Sequence, residues 1–120
     1  MKRADLHIHT TASDGAYTPE EVFDKARDLG LAAVSITDHD SAEALPESVE
    51  IAEVSGIELV PGIELSVALE FGELHLLGYC IEYTDREFLE KLAYFRKIRS
   101  ERASLILSKL EEMGYPRDME

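Results

Sequence analysis

Apolar and polar positions follow one another in short segments over the first part of the chain. Ala4 to Ile8 alternates apolar and polar residues, which predicts a strand with His7-Ile8-His9 at its end. Ala32 to Ile36 is an apolar run of the kind found in strands buried on both faces, and it leads into Thr37-Asp38-His39-Asp40. Glu58 to Val60 predicts a third strand.

Helix signals lie between these strands. Thr18 is a natural N-cap, Pro19 takes the first helical position, and Glu21 completes a capping box. Gly30 follows the last turn of this predicted helix, and Pro46 to Val54 predicts a second one. Strands that alternate with helices of about ten residues are typical of parallel strands joined by right-handed crossovers. The pattern therefore predicts an α/β fold, either part of a barrel or a small open sheet.

The character of the chain changes near Thr84. Before it, Ser66 to Glu70 and Glu73 to Tyr79 flank Phe71-Gly72 and predict a β-hairpin. After it, residues 85–114 predict one long helix. We divide the chain into βα units over residues 1–83 and, over residues 84–120, a long amphipathic helix that begins an insertion or a second half. With about 100° per residue, the apolar stripe of this helix contains Leu92, Phe95, Ile106, Leu110 and Met113.

Composition narrows the classes of function. A chain of 120 residues with 45% hydrophobic and 31% charged residues is typical of one small globular domain. Its 12 basic and 25 acidic residues give a formal net charge of −13, which argues against general nucleic-acid wrapping and against binding to an anionic membrane. A phosphate-bearing substrate must therefore be attracted locally, by bound metal or by a few arginines.

The sequence gives no sign of secretion or of membrane insertion. No apolar run approaches the roughly 20 residues of a membrane span, and residues 1–5 are not followed by the apolar region of a signal peptide. The single cysteine, Cys80, excludes an internal disulfide, and we expect it to be a small buried residue. We therefore expect a cytoplasmic protein with no membrane partner.

The histidines carry the chemical signal of this chain. There are four, and each lies at or just beyond the end of a predicted strand: His7, His9, His39 and His75. Strand ends and the loops after them form the functional face of α/β barrels, so ligands far apart in sequence converge there. His7 and His9 are two residues apart on a strand, and both imidazoles therefore point to the same side, where they can bind one metal ion.

Two carboxylates extend this set of candidate ligands. Asp14 lies in the loop after His9, and Glu64 ends the third predicted strand. Mixed nitrogen and oxygen ligands suit Zn²⁺, Mn²⁺ or Fe better than Ca²⁺ or a structural zinc held by cysteines. The alternative, that these histidines are hydrogen-bonded core residues, requires every buried imidazole to find a partner. The occurrence of four histidines and two carboxylates after successive strands favours a metal site. Their number indicates more than one ion.

Short motifs also carry a family resemblance. They are Asp5-Leu6-His7-Ile8-His9-Thr10, Ser13-Asp14-Gly15, Ile36-Thr37-Asp38-His39-Asp40, Gly62-Ile63-Glu64 and His75-Leu76-Leu77-Gly78-Tyr79. Over residues 3–115 they resemble the first motifs of the PHP (polymerase and histidinol phosphatase) family of metal-dependent phosphoesterases. The arginine pattern that follows, Arg96, Arg99 and Arg102, is similar to the branch that contains nucleoside 3′,5′-bisphosphate phosphatases that also act as 5′-to-3′ exoribonucleases.

The resemblance implies a fold and a set of ligands. The fold is the N-terminal part of a distorted, TIM-like (β/α)7 barrel, here with the hairpin and the long helix, which holds two to three divalent ions (Mn²⁺, Fe²⁺ or Zn²⁺). It further implies that His7, His9 and Glu64 bind the first ion. Glu64 bridges to a second ion that also takes His75, and Asp14 with His39 binds the third.

The resemblance also implies a reaction. Phosphomonoesters of nucleotides (3′,5′-bisphosphonucleosides) or of short RNA ends are hydrolysed by a hydroxide that bridges metal ions. Asp38 and Asp40 are interpreted as groups that orient imidazoles or a water, and one of them as an alternative proton donor to the leaving oxygen. The partner is then a phosphorylated small molecule or a short oligonucleotide.

Arg99 lies near the middle of the apolar stripe, with Arg102 close by, and two interpretations stay open for them. In one, their aliphatic stems cover the core while the guanidinium groups pair with acidic residues of this chain. In the other, they hold a substrate phosphate. Arg96 lies farther round the helix, and we expect it to face solvent.

The chain lacks the ligands that the second half of a PHP barrel supplies. After His75 only acidic side chains such as Asp118 remain as candidates. The chain is either part of a longer protein or a short protein that completes its sheet and metal shell in a homo-oligomer. A nucleotide phosphoesterase, a histidinol-phosphate phosphatase and a non-catalytic metal-binding module are the functions that stay open.

Overall fold

Strands and helices alternate along the first half of the chain, and a hairpin and a long helix follow. The computed structural model describes residues 1–115. Its elements are β1 (Ala4–Ile8), α1 (Pro19–Asp28), β2 (Ala33–Ile36), α2 (Leu45–Ser55), β3 (Glu58–Leu59), β4 (Gly62–Leu69), β5 (Gly72–Tyr79) and α3 (Arg86–Glu112). Asp118 and the last part of the predicted 84–120 segment lie outside the described residues.

The strands form two sheets. The first is parallel in the order β1, β2, β3, and the second is the antiparallel pair β4 and β5. An isolated parallel bridge between His39 and Glu64 links the two sheets. The predicted α/β class is confirmed. Within residues 1–115 the strands form an open sheet and a hairpin, and the complete barrel stays a prediction.

Local signals place the first helix as expected. The Thr18 hydroxyl accepts a hydrogen bond from the Glu21 amide at 3.3 Å, and the Glu21 carboxylate accepts one from the Thr18 amide at 3.4 Å. The predicted capping box is therefore confirmed. Val22, Phe23 and Ala26 are buried on one face of α1, as three- and four-residue spacing allows.

The hydrophobic core lies around β2. Val34 and Ile36 are fully buried, and Phe23, Leu45 and Ile63 pack in the same cluster. A strand buried on both faces was predicted from its apolar run, and the structure confirms it. Because β2 is central, the residues that follow it lie at the edge where the two sheets meet.

The hairpin begins earlier than its pattern predicts. β4 starts at Gly62 rather than Ser66, because a Cβ at position 62 would lie 2.4 Å from Ser35 Oγ, and only glycine lets the strand begin so close to β2. Glu64 therefore lies inside β4, not at the end of β3. His75 faces Ser66 in the middle of β5, so the expectation that it lies at a strand end was wrong.

Cys80 and the long helix also differ from expectation. Cys80 is exposed, with a left-handed backbone (φ 57°), directly after β5. Leu92 is the buried residue of α3. The rest of the predicted apolar stripe, Phe95, Ile106, Leu110 and Met113, is exposed in the described chain. No helix among residues 1–115 is long and apolar enough to cross a membrane.

Candidate metal centre

One histidine of β1 and one directly after it converge on a carboxylate of the hairpin. His7 Nε2 lies 2.9 Å from Glu64 Oε1, and His9 Nε2 lies 3.1 Å from Glu64 Oε2. Their two-residue spacing turns both imidazoles toward the same side of the chain. The Glu64 side chain is only 4% exposed, so its charge is almost fully removed from water. These three residues form one group whose ligand atoms could hold a single ion.

A tight loop brings Asp14 to the same place. A Cβ at position 15 would lie 2.1 Å from the carbonyl oxygen of His9, so only Gly15 lets the loop fold back over this histidine. Asp14 Oδ1 then lies 2.7 Å from His9 Nδ1, and its Oδ2 lies 3.3 Å from His39 Nε2.

The hydrogen bond to His9 is the largest influence on the pKa of the Asp14 carboxyl. It lowers the pKa of this carboxyl, and the charges of His39 and His9 lower it further, although burial opposes them. Because the folded-state pKa is lowered, the associated stabilisation is present above the ordinary pKa and is lost as pH falls through the lowered one. The side chain is 66% exposed, so this contribution to stability is small.

His39 and His75 complete the cluster around Glu64. His39 Nδ1 lies 3.0 Å from Glu64 Oε2, and His75 Nδ1 lies 3.9 Å from the same oxygen. His9, Asp14 and His39 form a second group of possible ligands, and His39, Glu64 and His75 form a third. Because neighbouring groups share ligands, sites built on them adjoin one another. The structure thus brings together all the side chains predicted as metal ligands.

Unpartnered buried atoms test whether the cluster fits a metal. Among the described residues, four buried side-chain atoms have no aligned hydrogen bond: Ser35 Oγ, His9 Nε2, His39 Nδ1 and Glu64 Oε2. The two imidazole nitrogens lie within 3.1 Å of Glu64 Oε2 but not in hydrogen-bonding geometry. A buried polar atom without a hydrogen bond is destabilising, and three of the four belong to this cluster. Imidazole nitrogens and a carboxylate oxygen are the ligands that Zn²⁺ and similar divalent ions accept. The residues therefore fit divalent metal ions.

Asp38 and Asp40 flank His39 but contact other groups. Asp38 accepts hydrogen bonds from the Thr10 amide at 2.6 Å, the Thr10 hydroxyl at 2.7 Å and the Ser13 hydroxyl at 2.7 Å. Asp40 accepts one from the Ser66 amide at 3.4 Å. These bonds hold the Thr10 loop and the start of the Ser66 segment in place, and a role of the two carboxylates in orienting imidazoles or a water stays a prediction.

The predicted phosphate-binding arginines lie at the rim of an open cleft beside the cluster. The cleft has a volume of about 440 Å³, and its lining includes His39, His75, Arg99 and Arg102. Arg99 Nη2 lies 2.5 Å from Asp40 Oδ2, and the same group donates to Ser66 Oγ. The ion pairs of residues 1–115 do not include Arg102, so its guanidinium is available at the cleft.

Two features of this region were not found from the sequence. Arg96 was expected to face solvent, yet it is half-buried and donates to the main-chain oxygen of Asp40 at 2.8 Å. Arg96 contacts Asp40 because the Asp40 loop packs against the face of α3 that carries it. Glu73 also lines the cleft, and its Oε2 lies 3.6 Å from His75 Nε2. Its position two residues before His75 on a strand was the signal that could have revealed it.

A partly exposed cluster of imidazoles and carboxylates around the buried Glu64, at the edge of a parallel sheet, is typical of metal-binding α/β proteins. Residues 5–116 match the PHP domain. Over 118 residues the chain is 39% identical to the 5′-3′ exoribonuclease Rnm of Escherichia coli K12, in an alignment that covers 97% of this chain and 40% of that protein. Over 114 residues it is 36% identical to the 3′,5′-nucleoside bisphosphate phosphatase of Chromobacterium violaceum, with 95% and 40% covered.

A solved structure shows the same likeness in three dimensions. It is an amidohydrolase from Chromobacterium violaceum with bound sulfate and no metal. It superposes with a TM-score of 0.85 and 35% identity over 96% of this chain and 40% of that one. The chain belongs to the PHP family. It spans about two fifths of the length of the relatives that it matches.

Proposed function

We propose that this chain provides the metal-binding part of a phosphoesterase that hydrolyses phosphomonoesters of nucleotides (3′,5′-bisphosphonucleosides) or of short RNA ends. The observation that carries the proposal is the cleft in which imidazole and carboxylate ligands and two arginines face one space. The names of the relatives, a 5′-3′ exoribonuclease and a nucleoside bisphosphate phosphatase, support this substrate class.

The ligand groups fit two to three ions of Mn²⁺, Fe²⁺ or Zn²⁺. His7, His9 and Glu64 hold the first ion, Glu64 and His75 hold the second, and Asp14 with His39 holds the third. When bound, such ions supply Lewis acidity toward phosphoryl oxygens and acidify a water for attack on phosphorus. Glu64 is the central residue of this arrangement, because it is the buried carboxylate that the histidines of both sheets face.

The arginines of α3 bind the substrate phosphate in this proposal. The Arg102 guanidinium donates paired hydrogen bonds to phosphate oxygens at the cleft, because it is not paired with another described residue. Arg99 is already paired with Asp40, and the exposed part of its guanidinium contributes positive charge toward the phosphate. The Chromobacterium structure contains bound sulfate, a tetrahedral anion like phosphate, and no metal.

The remaining metal ligands come from outside residues 1–115. The relatives are longer than this chain, so we propose that a further part of the polypeptide supplies them. A second copy of the chain is the alternative source, and sedimentation of the purified protein distinguishes the two.

The test combines metal content with phosphate release. The purified polypeptide that includes the segment supplying the remaining ligands is analysed for Mn, Fe and Zn. It is assayed with 3′,5′-bisphosphoadenosine and histidinol phosphate for released phosphate, and with a 5′-phosphorylated dinucleotide for released phosphate or nucleotide. We expect bound metal and hydrolysis of the two nucleotide substrates only. Arg102→Gln should raise KM about 10- to 100-fold at unchanged metal content, because a charge-assisted hydrogen bond to phosphate is lost. Lys109→Gln, farther along the same helix, is the matched control.

Two outcomes would contradict the proposal. Bound metal without hydrolysis of any of these substrates by that polypeptide would indicate a non-catalytic metal-binding module. Metal content that is negligible, and unchanged in His7→Ala/His9→Ala, would exclude a metal site in this chain.

A further inference from the structure

We propose that Arg96 is a positioning residue that fixes His39 for metal binding by holding the main chain of Asp40. The inference rests on the proposed function only in so far as His39 is a metal ligand. Arg96 makes its polar contacts in the described chain with Asp40 and Glu43, and none with a ligand residue. Its effect on the metal site must therefore pass through the backbone.

The backbone around His39 is held on both sides by Glu64. The Glu64 amide donates to the main-chain carbonyl of Asp38 at 3.1 Å. The Asp40 amide donates to the main-chain carbonyl of Glu64 at 3.0 Å. These bonds set His39 opposite Glu64, and the Asp40 carbonyl takes no part in them. This carbonyl belongs to the peptide group after Asp40, so a shift of it reaches His39 through the backbone torsions of Asp40.

Asp40 has a conformation that needs support. Its φ is 47°, in the left-handed region that residues with a side chain rarely adopt. Its carboxylate is held by Arg99 and the Ser66 amide, and its carbonyl oxygen accepts from Arg96 Nη1 at 2.8 Å. Arg96 thus occupies the one main-chain acceptor of Asp40, and without it the peptide is free to relax.

The helix places Arg96 accurately because of one buried neighbour. Leu92, four residues earlier on α3, is 1% exposed and belongs to the core cluster. Residues four apart lie on the same face of a helix, so burial of Leu92 brings Arg96 over the Asp40 loop. The arginine therefore connects the core contact of α3 with the loop that carries His39.

This role predicts a selective loss of metal. His39 belongs to two of the three ligand groups, whereas His7, His9 and Glu64 form the third without it. Arg96→Gln should therefore weaken Zn²⁺ binding about 10- to 100-fold at the His39-dependent sites, in the range typical of residues that hold a ligand in place. Binding at the remaining group should be retained. His39→Ala should lose the same ions, and Arg96→Lys, which keeps a donor, should recover part of the affinity.

The experiment compares the two arginine variants with Lys97→Gln, a control at the exposed neighbouring position. Zn²⁺ affinity and stoichiometry are measured by competition with a chromophoric chelator. In metal-free protein, NMR records the ring-proton resonances of the histidines. We expect Arg96→Gln to shift the resonances of His39 more than those of His7, and Lys97→Gln to shift neither.

The NMR result decides the inference independently of the proposed function. Unchanged His39 resonances in Arg96→Gln would overturn it, and so would equal shifts of all histidines in both arginine variants, which would indicate a general role in folding. If the unaltered protein bound no Zn²⁺, the proposed function would fail, whereas the histidine spectra would still show whether Arg96 positions His39.

Discussion

Asp38 shows how a single residue can support a metal site without contacting it. Its buried carboxylate accepts hydrogen bonds from the Thr10 amide, the Thr10 hydroxyl and the Ser13 hydroxyl, and Thr10 is itself fully buried. Asp38→Ala leaves those donors unpaired inside the protein, so the metal-free protein should lose about 3 kcal/mol of its free energy of unfolding. Urea unfolding in the presence of EDTA measures this loss.

The matched control for that substitution is Asp28→Ala, because Asp28 is exposed at the end of α1. Its removal should change the free energy of unfolding by less than about 0.5 kcal/mol. Equal stability of Asp38→Ala and the unaltered protein would contradict the assignment of Asp38 to holding the Thr10 loop. A function limited to orienting metal-bound groups would then become the better explanation.

At the scale of elements, helix α1 tests whether local signals determine the fold. Thr18→Ala removes the hydroxyl that accepts from the Glu21 amide and also ends the reciprocal capping arrangement. We expect a loss of about 1 kcal/mol in the free energy of unfolding. Thr11→Ala removes an exposed hydroxyl outside any helix and serves as the control in the same urea titrations. Identical unfolding midpoints for both variants would show that packing of α1, not its cap, fixes where the helix begins.

The elements that the sequence predicts well are those whose causes are local. The capping box at Thr18 and the apolar run of β2 involve residues close together in the chain, and both were read correctly. The start of β4 was not, because it depends on the fit of Gly62 against Ser35, which lies on another strand. Patterns within a segment contain no information about such contacts.

The candidate site divides in the same way. Its ligands could be predicted because histidines and carboxylates after successive strands of a parallel sheet meet at one edge. The contact of Arg96 with Asp40 joins residues separated by 56 positions, and its geometry depends on the left-handed backbone at Asp40. Neither the contact nor the left-handed backbone can be predicted from the order of apolar and polar residues. A resemblance to a family therefore supplied the ligands but not the contacts that hold them.

At the scale of the whole molecule, the ligands belong to two sheets. His7 lies in β1, and His9 and His39 follow β1 and β2 of the parallel sheet, whereas Glu64 and His75 belong to the hairpin. In the described part of the chain, the two sheets are joined by one isolated β-bridge, between His39 and Glu64. An ion held by ligands from both sheets would therefore act as a cross-link.

This cross-link makes a prediction about stability and local motion. Zn²⁺ at a free concentration about 100 times its dissociation constant should raise the free energy of unfolding by about 2.7 kcal/mol, because it binds the folded state. Hydrogen exchange in peptides that cover residues 62–79 should slow on metal binding more than exchange in α1, since the hairpin is the element that the metal fastens. His7→Ala/His9→Ala/His39→Ala, which removes a ligand from each of the three groups, should abolish both effects. Equal protection of the hairpin with Zn²⁺ and with EDTA would mean that the sheets are joined by packing alone, and that the ligand cluster contributes chemistry without contributing to the fold.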